Sequence, residues 1–176
     1  GTKGQEEADK KYAADFIDFA TGGYADSIKQ IKQLDDAAKA LRSGASISGP
    51  VLGSMPDQML AFTNPQAVAT KEAIQEVAQR NLRLILGPQF TEKEGERLIA
   101  RVFNPRLGEA ENLKRLTRLQ GQMKAASQAK LSAALYFQKN GTLVGWEGRL
   151  PRMSDFDPDS SGDSGPAEND PLGLRP

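Results

Sequence analysis

The feature that most constrains this chain is the proline-free run from Glu109 to about Lys139, with apolar side chains at Leu116, Leu119, Met123, Ala126, Ala133 and Phe137. Their spacing, near 3.5 residues, puts them on one stripe of a helix, interrupted by Lys130 and widened by Leu113, Leu131 and Leu135. At about 1.5 Å per residue the run makes a rod roughly 45 Å long. A rod of that length needs cover along its whole stripe. Hydrophobic residues make up 38% of the 176-residue chain and aromatics 6%, so the core must come largely from Ala, Leu, Ile and Val and is modest. The Ala-rich half, Ala125 to Ala134, permits close helix approach. The stripe is therefore expected to serve self-association or docking against another chain, making the protein a homo-oligomer.

Upstream, residues 1–42 carry two amphipathic runs. From Glu6 to Ala20 the side chains Tyr12, Phe16, Ile17, Phe19 and Ala20 share a side, and Thr21, Gly22 and Gly23 read as a stop. From Tyr24 to Arg42 the stripe is Tyr24, Ile28, Ile31, Leu34, Ala38 and Leu41. With only a glycine turn between them, the two are expected to fold back as an antiparallel hairpin. Residues 43–63 are rich in Ser, Gly and Pro yet hold Val51, Leu52, Met55, Met59, Leu60 and Phe62, the pattern of an extended segment laid across a helical surface.

Residues 64–150 form a punctuated helical scaffold. Asn64 is the expected N-cap, Pro65 the first helical residue, Gly87 the left-handed C-terminal residue and Pro88 the block behind it. Thr91 and Glu94 make a capping box for a short helix burying Leu98, Ile99, Val102 and Phe103, ended by Asn104 and Pro105. Asn140 and Gly141 terminate the long rod, and the single tryptophan, Trp146, reads as a packing lid. Residues 151–176, with Asp155, Asp157, Asp159, Asp163, Glu168 and Asp170 among Ser, Gly and Pro, have the composition of a disordered acidic tail. Its last leucines, Leu172 and Leu174, suit either a docking peptide or an unremarkable terminus. The fold class that follows is all-α: a helical hairpin, an extended linker, a three-helix unit with one long helix, and a flexible tail.

Composition narrows the chemistry. The 23 basic and 23 acidic side chains cancel, which removes any whole-chain argument for nucleic acid or an anionic membrane. There is no Cys and no His, which excludes thiolate nucleophiles, disulfides, imidazole bases and nearly all zinc sites. No cofactor is expected, and no apolar run approaches the roughly 20 residues that span a bilayer. Gly, not Met, at position 1 fits a fragment or a processed or tagged product.

Three clusters invite a chemical reading. Glu92, Glu94 and Glu96 resemble paired acids of a glycoside hydrolase, but acids in a first helical turn are what the dipole and the cap favour. The span Arg80 to Arg118 holds nine basic residues against five acidic ones. Within it Lys93, Arg97 and Arg101 share a helix face, a candidate nucleic-acid contact or else a solvated, ion-paired surface. Asp155, Asp157, Asp159 and Asp163 alternate like calcium ligands, yet the glycine and distal Glu of an EF-hand loop are not at their positions.

The runs Asn81-Leu-Arg-Leu-Ile-Leu-Gly-Pro-Gln-Phe-Thr-Glu-Lys-Glu-Gly-Glu-Arg-Leu-Ile-Ala-Arg101, Asn104-Pro-Arg-Leu107, Phe137-Gln-Lys-Asn-Gly-Thr-Leu143 and Gly145-Trp-Glu-Gly148 resemble a helical virion protein of short-tailed bacteriophages. Ser48 to Asp57 and Phe62 to Pro65 resemble the same group, so the similarity spans most of residues 44 to 150. The resemblance implies a non-enzymatic virion component made in the bacterial cytoplasm and present in several copies. It would be internal, or attached to portal or tail proteins, and would assist DNA ejection. The motifs bring no catalytic residues with them.

Overall fold

A computed structural model of the protein describes residues 3–42, 67–103 and 109–158. Among these the fold is all-α, without strands. Helices α1 (Lys3–Asp18) and α2 (Tyr24–Arg42) are joined by a π-helical turn, Phe19–Gly23. They are followed by α3 (Ala67–Leu86), α4 (Glu92–Val102) and α5 (Glu109–Asn140). The expected linker of residues 43–63, the Asn64 and Pro65 cap and the Asn104–Pro105 stop lie outside the described residues.

The expected hairpin does not form. Backbone angles are helical on both sides of the joint, φ −62° and ψ −40° at Asp18 and φ −60° and ψ −47° at Tyr24, so Lys3 to Arg42 is one continuous helix about 60 Å long. Gly22 and Gly23 cost helix propensity, about 1 kcal/mol each, but they block nothing. Thr21 Oγ1 donates to the Ile17 carbonyl at 2.8 Å, supplying a partner where the ladder widens. At Gly23 a Cβ would lie 3.1 Å from Phe19 Cδ2, so glycine leaves room for that ring.

This continuous helix runs antiparallel to α5. Phe16 meets Phe137 with ring centroids 5.3 Å apart, while Ser127 reaches Ser27 at 3.0 Å. The expected partner face is thereby accounted for inside the molecule: Leu116, Leu119, Met123, Ala126 and Ala133 are all buried, and Phe137 is half-buried against Phe16. The stripe is core, not a free surface for a second chain. Two short antiparallel helices would have left much of the rod bare, whereas a single long one covers its length.

Two apolar clusters result. The larger joins Ile31, Leu34, Ala37 and Ala38 of α2 to Ile74, Val77, Leu82 and Ile85 of α3, Leu98 and Ile99 of α4, and the first half of α5. The smaller is aromatic, with Tyr12 and Phe16 of α1 against Ala133 and Ala134 of α5, and Leu143 and Leu150 from the segment beyond; half-buried Trp146 packs onto it as a lid. Residues 151–158 were expected to belong to the tail but form a strap bound to the body. Pro151 and Phe156 are buried, and Arg149 grips Asp155 through two hydrogen bonds of 3.0 and 2.8 Å. Leu150 thus anchors in the smaller cluster and Phe156 in the larger. Residues 159–176 lie outside the described residues.

Candidate functional site

Between the two clusters lies a layer of buried polar side chains, and it begins with a consequence of Pro88. The carbonyl of Leu84 would ordinarily accept from the amide four residues on, but that residue is a proline with no N–H. Lys130 Nζ donates to the Leu84 carbonyl instead. Its positive charge also suits the negative end of α3. The same ammonium pairs with Asp15 Oδ2 at 2.8 Å and sits 4.5 Å from the Phe19 ring centroid. Gly87, at φ +52°, presents only hydrogen to Asp15; a Cβ there would fall 2.3 Å from Oδ2.

Lys130, which interrupts the stripe of α5, is therefore a buried junction for three helices, with 2% of its side chain exposed. Burial pushes its ammonium below the usual lysine range, and the neighbouring Asp15 carboxylate opposes the shift. Tyr12, nearby on α1, moves the other way: burial raises its phenol, a hydrogen bond with Gln89 works against that, and the charge on Asp15 adds to it. The space framed by Tyr12, Asp15, Gln89 and Lys130 is about 10 Å³, no more than a single water requires.

The second half of the layer is neutral. Asn81 Nδ2 donates to the Ser27 carbonyl at 3.0 Å, to Ser27 Oγ at 2.9 Å and to Gln30 Oε1 at 3.2 Å; Ser127 Oγ donates to Ser27 Oγ. All four side chains are buried. Polar contacts at one depth fix the register of α2, α3 and α5, because sliding any helix by a turn would break this set of buried hydrogen bonds. Sequence reasoning did not find Ser27, Gln30, Asn81 or Ser127, since isolated polar residues on amphipathic helices read as surface.

The basic span divides. Arg80 pairs with Glu76 and Arg115 with Glu111, one helical turn apart in each case. Arg83 pairs with Glu92 and lies over the Phe90 ring. Arg101 faces Asp157 at 3.5 Å and Arg118 donates to the Pro158 carbonyl at 3.1 Å, so both hold the strap. Lys93 and Arg97 stay exposed on α4. Arg97 and Arg101 share an open groove of about 740 Å³ with Glu94, Met153, Ser154 and Asp157. The acids of the first turn are used locally: Glu92 pairs with Arg83, and Thr91 Oγ1 accepts from the Glu94 amide at 3.4 Å as the cap requires. Asp155 and Asp157 bind arginines, and among the described residues no group of three potential ligands gathers for a metal.

Three exposed apolar side chains stand out. The exposed large apolar side chains among the described residues are Ile17, Leu135 and Val144. Each is next in sequence to a residue of the smaller cluster: Ile17 follows Phe16, Leu135 follows Ala134 and Val144 follows Leu143, and the Val144 carbonyl accepts from Tyr136 Oη at 2.8 Å.

Fold and layer together define an all-α bundle with a polar midsection. No protein-family model, no curated protein and no solved structure matches the chain.

Proposed function

We propose that this chain is a non-enzymatic structural protein of a bacteriophage particle, attached to portal or tail proteins or to the internal core and assisting DNA ejection. The support is the resemblance over residues 44 to 150, together with one structural observation: the exposed apolar Ile17, Leu135 and Val144 each adjoin in sequence a residue of the aromatic cluster. Exposed apolar side chains there suit attachment, and the larger cluster behind them is held by the buried polar layer. The α5 stripe is core and offers no surface for self-association.

Peptide mass spectrometry of purified particles tests the reading. The chain is expected in the particle, and Ile17→Asp with Leu135→Asp is expected to remove it while leaving the helical circular dichroism unchanged. Absence of the unaltered protein from particles overturns the proposal.

The alternative, a nucleic-acid-binding module, draws on exposed Lys93 and Arg97. It predicts affinity that falls steeply with salt and is lost on Arg97→Glu with Arg101→Glu. Flat salt dependence removes it.

A further inference from the structure

Three features coincide at the root of α1. The helix changes to π geometry over Phe19–Gly23, with two adjacent glycines. The buried side chains of α1, Tyr12 and Phe16, belong to the smaller cluster. At the boundary the Lys130 ammonium is held by Asp15, the Leu84 carbonyl and the Phe19 ring, so it loses its water whenever α1 is docked.

We infer that α1 is a detachable arm, hinged at the Phe19–Gly23 turn, which leaves the bundle as a unit while the larger cluster stays folded. The small aromatic contact holds the arm down, and rehydration of Lys130 and Asp15 favours its release. Gly22 is the natural pivot: a Cβ there would meet nothing within 4 Å, so its glycine is not demanded by packing. The wide turn already departs from α-helical hydrogen bonding, so bending there disrupts less of the ladder than bending elsewhere. Opening uncovers Ala133, Phe137 and Trp146 at the end of α5, and the only tryptophan reports on it.

This inference does not depend on a place in a phage particle, and its test uses the isolated full chain. Amide hydrogen exchange is followed for residues 7–18, 24–38 and 74–86, with Trp146 emission read in parallel. Residues 7–18 should exchange as one block, on the order of tenfold faster than residues 74–86, with the step in protection falling at the π turn. Gly22→Ala should slow the arm about threefold by stiffening the pivot and leave residues 74–86 unchanged. Phe16→Ala should speed the arm and shift Trp146 emission to the red while protection of residues 74–86 persists. Equal protection of arm and core overturns the inference. So does a smooth gradient from the N-terminus, which is fraying, or an arm that ignores Gly22→Ala.

Discussion

Two joints in this molecule share a glycine and behave oppositely. At Thr21-Gly22-Gly23 the helix runs on through a widened turn; at Gly87-Pro88 it ends. Glycine lowers the cost of leaving a helix but does not forbid staying in one. What ends α3 is Gly87 in the left-handed region, with Pro88 removing the next donor. At the first joint no such block exists, and burial of a stripe on both sides outweighs the propensity loss. Lys130 touches both joints, stacking on Phe19 from one and capping Leu84 from the other.

The comparison can be broken most forcefully by giving the first joint what the second has. Gly22→Pro removes a helical donor and should destabilise the fold by roughly 3 kcal/mol or more, seen as a drop in the urea midpoint. Next comes Lys130→Met, which leaves Asp15 and the Leu84 carbonyl unpaired. A loss of about 3 kcal/mol is expected, with Asp15→Leu in the same chain recovering part of it, because an apolar pair has no uncompensated charge. A double-mutant cycle measures the recovery.

Gly87→Ala should cost about 2 kcal/mol, combining an L-residue in the left-handed region with a contact against Asp15. Smaller still is the pH response. With the Lys130 pKa lowered on folding, the unfolded chain binds more protons between that value and 10.5, so stability rises with pH there. With the Tyr12 pKa raised, the unfolded chain gives up its phenolic proton first above 10.0, so stability falls with pH beyond it. Denaturation midpoints across alkaline pH should show the rise in the unaltered chain and its absence in Lys130→Met. Last, Gly22→Ala should hold the docked arm more tightly by about 0.5 kcal/mol, read as slower amide exchange at residues 7–18, because the position is open and already helical.

Legibility in the sequence follows the same distinction. Helices α4 and α5 begin and α3 and α5 stop close to where Gly87, Thr91, Glu109 and Asn140 indicate, because caps and blocks are local chemistry that tertiary packing has little reason to override. The joint at Gly22 differs from the expected stop because glycine there is permissive and does not block the helix. A signal was present: the apolar stripe passes from Phe19 to Tyr24 in a five-residue step, the spacing of one π turn, and the rings lie edge to face at 6.1 Å. The burial of Leu116 to Phe137 follows from the same joint, since a hairpin cannot cover a long rod and a continuous helix can.

The candidate site was less legible than the fold. Lys130 announced itself as a break in the stripe, but its partners lie 46 and 115 residues away, at Leu84 and Asp15, and no periodicity points to them. The strap was hidden by its own acids. Asp155 and Asp157 read as solvated until Arg149 and Arg101 are seen opposite them, and Phe156 between them is a core residue inside a disorder-like composition.

That strap has a consequence for how the protein is made. Translation delivers the described helices α1 to α5 before it delivers Phe156, a side chain buried in the larger cluster. A nascent chain halted between Asn140 and Phe156 therefore carries the five described α-helices and still an open seat in its core. Folding should reach its final, protease-resistant state in a late step, when the strap is free to dock and locks both clusters together.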